Sequence, residues 1–444
     1  MSFLLYVKKN LTNLPYFIGS PLSHIPYNYR PGMGKVYRRR LNEIEQINQA
    51  DNEFIKNFIF EKVKSVAIHA NYNIPFYSKL YKSTGVNPSK FRCFNDLTNL
   101  PIITKSDLQQ VDLVERTFFK DRSYIVNTGG SSGKPLDFYI EPTSIPHEWA
   151  HMHTIWGKLG FNQSNLRLVF AGRADVDDVI LYDSARHQFN VDLYAGWFTI
   201  AEKLLHLYIK CKPQYLHGYP SAIFDFVTWL RDHEHPLLPV LKDNIKGIFL
   251  GSEFPSPQAR SRTEKLLGCK SISWYGHTER SILAYESIKQ YSYRPFHSYG
   301  FAEGVFNEGL CNLVSTNYYN YSSPLIRYNT EDNIEPNINN GVLTSFEISQ
   351  GRDGEYVIDL RGNKVFLTAL IFGRHHKLFD VSNHIQVEQI SKGVIKVYYV
   401  LRNGMTCTNP ERLFDDNNIN FNILFEELIK PVTTISGKVP LLIK

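Results

Sequence analysis

Cysteine is scarce in this sequence, and the few cysteines are not paired. They are an odd number and include no Cys-x-x-Cys motif: Cys93, Cys211, Cys269, Cys311 and Cys407. This wide spacing excludes a disulfide scaffold and gives no indication of a zinc ribbon. We therefore predict a reducing, cytoplasmic environment for the chain.

The start of the sequence lacks a long apolar run. The apolar segment from Phe3 to Val7 is followed at once by Lys8 and Lys9. Such a short segment can form neither the core of a signal peptide nor a membrane span. We predict no integral membrane segment.

Charge of one sign is not strongly in excess. The 49 Lys and Arg residues against 43 Asp and Glu residues give a net charge of +6. The basic residues are mostly spread along the chain, with one local group at Arg38, Arg39 and Arg40. Proteins that bind nucleic acid usually concentrate basic charge on one stripe. A nucleic-acid partner is therefore not expected, and the mild surplus suits an anionic small molecule such as a nucleotide.

The length of 444 residues exceeds what one ordinary hydrophobic core requires, since domains usually span about 100–200 residues. Gly351-Arg352-Asp353-Gly354 places two glycines around two charged residues, which is typical of a hinge. We predict a large N-terminal domain over residues 1–350, with residues 1–40 as an irregular arm. Residues 351–444 are predicted to form a small mobile C-terminal domain.

Short apolar runs alternate with helical patterns through the middle of the chain. Residues 166–171 and 245–250 are predicted buried strands, and residues 221–230 and 258–267 are predicted helices beside them. Longer strands follow at 310–317, 325–329, 342–348 and 394–401, with a predicted helix at 421–429. This alternation predicts an α/β fold with a large multi-sheet domain.

A glycine-rich loop stands out within the α/β pattern. It consists of Thr128, Gly129, Gly130, Ser131, Ser132, Gly133, Lys134 and Pro135. Glycines let the backbone approach phosphate oxygens closely, and Lys134 adds a compact positive charge. A Walker loop is disfavoured, because Thr128 and Pro135 occupy the positions of its first glycine and its Ser or Thr. Taken alone, the loop could also be a surface turn.

Three charged residues suit nucleotide chemistry. Glu279 follows a predicted strand at 271–274 and is a hard oxygen ligand suited to Mg²⁺. Asp332 lies beyond a strand end, where a carboxylate can accept two ribose hydroxyls. A mobile Lys438 can neutralise charge that develops on an α-phosphate. Solvent-exposed charges, and a simple tail lysine in the case of Lys438, are the alternative interpretations.

Several segments in a fixed order resemble the adenylate-forming superfamily, and within it the phenylacetate-CoA ligase group with its capsule-biosynthesis relatives. The resemblance covers roughly residue 65 to the C-terminus. It rests on Asn73 to Tyr77, Leu100 to Lys105, the loop at 128–135, Tyr275 to Glu279, Pro324 to Asp332, Gly351 to Asp353 and Ser436 to Lys438.

The resemblance implies a role for each matching residue. In the Tyr275-Gly276-His277-Thr278-Glu279 motif the aromatic residue would stack on adenine and Glu279 would reach Mg²⁺. Thr278 and Lys438 are assigned to catalysis, and Asp332 and Arg352 to the ribose. Ser252 and Glu253, which follow a predicted strand, are expected to border the adenine.

Two departures from the family pattern lie beside these residues. Asn329 and Glu331 replace the usual arginine and glycine before Asp332, so that Glu331 brings negative charge to a nucleotide site. The sequence after Lys438 reads Val-Pro-Leu-Leu, where an arginine often follows.

His147-Glu148-Trp149-Ala150-His151 matches the H-E-x-x-H zinc motif. We predict a helix whose buried face is formed by Trp149, Met152, Trp156 and Leu159, with the histidines on the other face. Thr154 stands where the extended motif needs glycine, and no Glu follows until Glu202. We favour histidines that line or flank an acyl pocket over a zinc site.

The resemblance implies an enzyme that uses ATP and Mg²⁺ to convert a carboxylic acid to an acyl-adenylate. The acyl group would then pass to a thiol, such as CoA, or to an amine, in polysaccharide biosynthesis for the capsule-type relatives. Two alternatives stay open. The chain could be a nucleotide-binding relative without catalysis, or a zinc hydrolase built on the H-E-x-x-H motif.

Overall fold

We describe the protein from a computed structural model. The structure describes residues 14–30, 33–128, 136–172, 176, 178–307, 309–348, 355–372, 374, 376–402, 404–432 and 440–443. Their α-helices are α1 (Tyr16–Ser23), α2 (Gly34–Gln49), α3 (Asn52–Asn73), α4 (Pro75–Thr84), α5 (Lys105–Gln109), α6 (Ser144–Gly157), α7 (Trp197–Lys210), α8 (Pro220–Asp232), α9 (Leu237–Asn244), α10 (Pro257–Leu267) and α11 (Leu378–Val381).

The strands of the first two thirds of the chain are β1 (Tyr124–Asn127), β2 (Asp137–Ile140), β3 (Arg167–Phe170), β4 (Ile180–Asp183), β5 (Gln188–Val191), β6 (Tyr215–Gly218), β7 (Gly247–Leu250), β8 (Lys270–Gly276), β9 (Leu283–Glu286) and β10 (Ser292–Pro295). The later strands are β11 (Gly300–Asn307), β12 (Leu310–Asn317), β13 (Tyr328–Asn339), β14 (Val342–Ile348), β15 (Tyr356–Ile358), β16 (Lys364–Phe366), β17 (Ser382–Ser391), β18 (Val394–Leu401), β19 (Asn422–Glu427) and β20 (Leu442–Ile443).

A mixed sheet of 12 strands forms the centre of the molecule, in the order β11-β12-β13-β14-β10-β9-β8-β7-β6-β3-β5-β4. Strands β5, β3, β6, β7 and β8 run parallel to one another. From β8 towards β11 the neighbouring strands are antiparallel. The predicted α/β fold class with several sheets is confirmed.

The parallel strands are buried on both faces, which is why their sequences are continuous apolar runs rather than alternating ones. All residues of β3 and of β7 are buried. Helices α7 and α8 pack on them through fully buried side chains such as Leu204, Phe226 and Leu230. The predicted strands 166–171 and 245–250 and helices 221–230 and 258–267 are therefore confirmed, within a few residues at each end.

The N-terminal arm is more regular than predicted. Its described part contains helix α1 and the first turns of α2, which continues to Gln49. Helix α2 lies against α6, where Tyr27, Tyr37 and Trp149 share one aromatic cluster. This packing explains why the described part of the arm forms helices, which the irregular spacing of Pro and Gly does not indicate.

The C-terminal part contains a four-stranded sheet in the order β19-β18-β17-β20. The predicted helix at 421–429 is wrong, because residues 422–427 form strand β19, parallel to β18. Ile423 and Phe425 pack into the local core while their neighbours stay exposed, so the burial has a period of two. The domain boundary at 350 remains a prediction.

In the part of the chain that the structure describes, no helix combines the length and apolarity needed to cross a bilayer.

Candidate active site

Three loops of interest follow the carboxyl ends of neighbouring parallel strands. Residues 219–220 follow β6, residues 251–253 follow β7, and residues 277–280 follow β8. Because these strands are parallel, the three loops lie on the same edge of the sheet. Open α/β sheets bind ligands in the crevice at this edge.

Two glycines at this edge allow close packing that no other residue would permit. A Cβ atom on Gly251 would lie 2.3 Å from the ring of Trp274. At Gly218, with φ +150°, a Cβ atom would lie 2.1 Å from the carbonyl oxygen of Phe170. The strand ends are therefore fixed by close contacts, with backbone at Gly218 and with the Trp274 ring at Gly251, which gives the loops a rigid base.

The Tyr275 and Asp332 side chains, predicted separately for adenine and ribose, meet in the structure. Tyr275 Oη donates a hydrogen bond of 2.5 Å to Asp332 Oδ2. Burial, and then the Asp332 carboxylate, raise the pKa of Tyr275 well above its ordinary value. The phenol therefore stays a neutral donor. The contact joins β8 to β13 across 57 residues of sequence and brings the two predicted nucleotide contacts to one place.

Glu279 is next to this pair. Tyr328 Oη donates to Glu279 Oε1 at 3.4 Å, and His277 Nδ1 lies 3.3 Å from Oε2. Burial pushes the pKa of Glu279 upward, but the interactions with His277 and Lys105 outweigh it, and the net shift is downward. The carboxylate is therefore ionised at neutral pH, and both contacts are long enough to leave lone pairs free.

The residues around Glu279 suit Mg²⁺. This ion typically takes one or two carboxylates from the protein and completes its octahedron with water and substrate phosphates. Glu279 supplies one such carboxylate. Among the described residues no set of three or more His, Cys, Asp and Glu side chains could hold a metal ion by itself. The arrangement fits an ion that arrives with a nucleotide better than a permanently bound one.

Lys105 is a further basic residue at this site. Ile103 pairs with Tyr328 in a parallel bridge, through Ile103 N to Arg327 O at 3.1 Å and Asn329 N to Ile103 O at 2.8 Å. Lys105 follows as the first residue of α5 and interacts electrostatically with Glu279. The segment that precedes the glycine-rich loop in sequence is therefore part of the site.

The glycine-rich loop connects β1 and β2, which form an antiparallel hairpin. Thr128 closes its base, since its Oγ1 accepts from Leu136 N at 2.9 Å and its own N–H donates to Leu136 O at 3.1 Å. Arg280, directly after Glu279, donates to Ser144 Oγ at 2.8 Å and interacts with Tyr124 of β1. These contacts place the hairpin beside the Glu279 loop.

Several predicted site residues lie outside the described residues. They are Gly129, Gly130, Ser131, Ser132, Gly133 and Lys134 of the loop, Arg352 of the hinge, and Lys438. Their roles stay predictions. Thr278 and Gly276 are described, and both are exposed at the carboxyl end of β8.

The side chains of Ser252 and Glu253 do not lie side by side in one surface. Ser252 is exposed, with a left-handed φ of +70°. The Glu253 carboxylate is buried at the start of α8, where Oε2 accepts from Ser221 N at 3.0 Å. Its other oxygen has no hydrogen-bond partner among the described residues. The adenine contact predicted for these two residues remains untested.

Strand β13 contains a bulge at the position where the sequence departs from the family pattern. The register with β12 shifts between the pairs Asn312–Asn333 and Val314–Asn329. Within the bulge Glu331 has φ +64°, a conformation that favours glycine. The positive φ explains why the family pattern has glycine at this position. Glu331 adopts the same conformation with a steric strain that glycine would not have.

Replacing Glu331 by glycine should raise the free energy of unfolding by about 0.5–1 kcal/mol, because the left-handed strain disappears. It should also strengthen the binding of ATP, the nucleotide that the resemblance implies, since one negative charge beside Asp332 is removed. Urea denaturation and initial-rate kinetics check both effects. Glu335→Gly, on the same strand without a positive φ, is the matched control and should destabilise the protein. Equal destabilisation by both variants would contradict this interpretation.

The H-E-x-x-H segment forms helix α6, but the predicted orientation of its histidines is wrong. His147 and His151 are 4% and 0% exposed. His151 Nδ1 lies 2.9 Å from His147 O, and its Nε2 lies 3.0 Å from Ser298 Oγ, so both ring nitrogens are used. Glu148 accepts from Tyr299 Oη at 2.5 Å. The rings of Tyr299 and Tyr319 pack on His147, and those of Phe296 and Tyr299 pack on His151, so the face opposite the predicted apolar one is buried as well.

His147 and His151 should make the protein sensitive to acid. Burial lowers the pKa of His151 to about 3 and that of His147 well below its ordinary value. The unfolded chain binds protons at both residues near pH 6.5 while the folded chain does not, so stability is lost as the pH falls below that value. Between pH 7 and 5.5 we expect a loss of about 2 kcal/mol from the pair.

Urea denaturation at the two pH values measures this loss. His147→Asn should reduce the dependence on pH, whereas His206→Asn, on an exposed histidine, should leave it unchanged. A stability that is equal at pH 7 and 5.5 would show that the buried histidines do not stay neutral.

Two residues of the site received no role from the sequence, namely Lys105 and Arg280. A signal for Lys105 was available. Thr104 and Asp107 form a capping box, which marks Lys105 as the first helical residue. A cation there opposes the helix dipole, so a role outside the helix is favoured. Arg280 gave no comparable signal, since its contacts depend on the tertiary fold.

No family model matches the chain. Protein CapK from Staphylococcus aureus is 22% identical over 68% of this chain and 68% of its own length. The phenylacetate-coenzyme A ligase of Escherichia coli K12 is 26% identical over 25% of each chain. The first of these matches spans most of this chain, whereas the second spans only a quarter.

Crystal structures of 2-hydroxyisobutyryl-CoA ligase share the fold. The complex with 2-HIB-AMP and CoA in the thioesterification state is 16% identical, covers 88% of this chain and 90% of that chain, and has a TM-score of 0.52. The postadenylation complex with R3-HIB-AMP is 15% identical, covers 87% of this chain and 88% of that chain, and has a TM-score of 0.50.

The fold and the sequence matches together indicate a member of the adenylate-forming superfamily. Within the superfamily, its sequence similarity is to the group that contains CapK and phenylacetate-CoA ligase.

Proposed function

We propose that this protein is an ATP-dependent ligase that converts a carboxylic acid to an acyl-adenylate and then transfers the acyl group. The main support is the meeting of Tyr275, Asp332, Tyr328 and Glu279 at the carboxyl edge of the parallel strands. These residues come from two motifs that are far apart in sequence. An adenylate-forming fold around them is the second support.

In the proposed first step a carboxylate oxygen of the acid attacks the α-phosphorus of ATP. The bond to the bridging oxygen of pyrophosphate breaks, and pyrophosphate leaves with that electron pair. Mg²⁺, when bound with ATP, would neutralise phosphate charge, and Glu279 is the residue placed to hold it. The backbone of residues 128–134 would bind the leaving phosphates, and Lys438 would stabilise the charge on the α-phosphate.

The nucleoside would lie between β8 and β13. Tyr275 presents a neutral aromatic ring for adenine, and Asp332 presents an exposed carboxylate for the ribose hydroxyls. Their mutual hydrogen bond orients both side chains before the nucleotide binds, which reduces the ordering cost of binding. Arg352 and the backbone of Ser252 and Glu253 would complete the nucleoside site.

In the second step a thiol or an amine would attack the acyl carbon and release AMP. CoA is the acceptor named for the 2-hydroxyisobutyryl-CoA and phenylacetate-CoA ligases that this chain resembles. The similarity to CapK favours instead an acceptor in capsule polysaccharide biosynthesis, for which an amine is chemically suitable. The proposal includes a rotation of residues 351–444 about Arg352 and Asp353 between the two steps. It places the enzyme in the cytoplasm.

ATP–pyrophosphate exchange over a panel of carboxylic acids tests the first step. We expect exchange that requires one class of acid and that is lost in Lys438→Ala but retained in Lys430→Ala, a nearby exposed lysine. Loss of free CoA thiol during turnover would identify the acceptor as CoA. Amide product with thiol unchanged would identify an amine. Absence of exchange with every acid would contradict the ligase proposal.

The second candidate is a nucleotide-binding relative without catalysis. Glu331 favours it, because its charge lies one residue from Asp332 and its backbone is strained. Calorimetry would then show ATP binding with no pyrophosphate released for any acid.

A further inference from the structure

The excess of positive over negative charge arises in the first 42 residues of the chain. This segment contains seven Lys and Arg residues and no Asp or Glu. The other 402 residues contain 42 basic and 43 acidic residues, so they are close to neutral. The net charge of +6 is therefore a property of the N-terminal arm and not of the whole chain. A charge asymmetry of this kind is typical of a segment that binds an anionic surface.

Helix α1 of this arm is fixed on the body of the protein. Its Gly19 lies so close to β4, the edge strand of the large sheet, that a Cβ atom would lie 2.7 Å from a ring carbon of Tyr182 in that strand. Tyr16 packs edge-on against Tyr182, with ring centroids 5.2 Å apart, and stacks on Phe189. One face of the helix therefore packs against the large sheet, and the opposite face points to solvent.

The outward face is apolar. Phe17 and Ile18 are 75% and 44% exposed, and Leu22 lies one turn further along the same face. Ile25 and Tyr29, in the segment after the helix, are 46% and 69% exposed. A helix that only covered a sheet edge would be expected to present polar residues on this face.

Basic side chains border the apolar residues. The first turns of α2 expose Lys35, Arg38 and Arg39, while the neighbouring Tyr37 and Arg40 are buried. The guanidinium of Arg38 lies over the ring of Tyr29, 6.0 Å from its centroid, which makes the basic and apolar parts one continuous surface. Among the described residues no carboxylate pairs with these three basic side chains. We call this the arm surface: Phe17, Ile18, Leu22, Ile25, Tyr29, Lys35, Arg38 and Arg39.

We propose that the arm surface binds an anionic phospholipid bilayer. Aliphatic and aromatic side chains beside unpaired basic ones are the composition of segments that lie in the membrane interface, with apolar groups inserted and basic groups on lipid phosphates. Nucleic acid could bind the basic residues, but it would not explain why the aliphatic side chains of Ile18, Leu22 and Ile25 are exposed beside them. The rest of the molecule, nearly neutral, would face the aqueous phase.

Co-sedimentation of the full chain with vesicles tests this proposal. We expect binding to vesicles of phosphatidylcholine with 30% phosphatidylglycerol, little binding to pure phosphatidylcholine, and release at high salt. R38Q/R39Q should weaken binding by roughly 30-fold. F17S/I18S should also reduce it, because the inserted apolar area is lost. Thermal unfolding of each variant checks that the fold is retained.

Two matched control variants remove basic or apolar side chains that lie outside the arm surface. R262Q/K265Q takes two exposed basic residues from α10, and Ile288→Ser removes a fully exposed apolar residue from the turn before β10. Both should bind vesicles as the unmodified protein does. No binding to anionic vesicles, or equal loss in R262Q/K265Q, would overturn the proposal. So would a dimer in solution that F17S/I18S dissociates, since the arm surface would then bind a second copy.

Discussion

Glu279→Gln should lower the rate of acid-dependent ATP–pyrophosphate exchange by about 100-fold or more at saturating ATP. A metal ion contributes several kcal/mol of charge stabilisation at a phosphoryl centre, and each factor of ten corresponds to about 1.4 kcal/mol. Glutamine has the shape of glutamate but lacks the negative charge that, in the proposed function, would hold Mg²⁺. The variant should therefore also need a higher Mg²⁺ concentration for half-maximal exchange.

The structure explains why Glu279→Gln should lose activity without losing the fold. Glu279 has two long side-chain contacts, to Tyr328 Oη and His277 Nδ1, and an electrostatic interaction with Lys105. Glutamine keeps the shape of this side chain, so we expect the fold to be retained. Glu335→Gln, an exposed acid on the same strand as Asp332, is the matched control and should keep full exchange activity. Exchange in Glu279→Gln at a near-normal rate and Mg²⁺ dependence would show that the metal is held elsewhere.

Arg327→Ala should lower the free energy of unfolding by about 3–5 kcal/mol, the usual cost of removing one partner from a buried ion pair. Arg327 Nε and Nη2 bind the two oxygens of Glu303 at 2.8 and 3.0 Å. Its Nη1 donates to the carbonyl oxygens of Thr98 and Leu100, both at 2.7 Å. The alanine variant leaves the Glu303 carboxylate buried without a partner.

A double variant distinguishes the effect of the ion pair on stability from its effect on exchange activity. Arg327→Leu with Glu303→Leu removes both charges together and should be more stable than Arg327→Ala alone, because no unpaired charge remains. It should still show reduced exchange, since the segment that carries Lys105 loses its two carbonyl contacts. Urea denaturation measures the stability of both variants. A loss below about 1 kcal/mol in Arg327→Ala would contradict the buried-pair interpretation.

Much of the fold could be predicted from the sequence because local patterns determine it. Strand β7 is a continuous apolar run since it is covered on both faces, and α8 begins at Pro220 as the first-turn preference of proline predicts. The order of the motifs then located Tyr275, Glu279 and Asp332. Strand β19 was misjudged as a helix because six residues with two inward side chains fit either period.

The contacts that complete the site could not be predicted, since they join distant parts of the chain. Arg327 lies within the Pro324 to Asp332 motif, but the motif does not show that its side chain binds Glu303 and the backbone at 98–100. The histidines of α6 were placed away from the buried face because the pattern shows one apolar face, while Phe296, Tyr299 and Tyr319 cover the other. Tertiary packing decided both cases.

Isotope transfer from the acid to AMP tests the central claim most directly. The acid is labelled with ¹⁸O in both carboxylate oxygens, incubated with ATP, Mg²⁺ and the acceptor, and the nucleotide products are analysed by mass spectrometry. If the carboxylate attacks the α-phosphorus, the released AMP carries one ¹⁸O atom and pyrophosphate carries none. ADP together with ¹⁸O-labelled phosphate would place the attack at the γ-phosphorus and contradict the account.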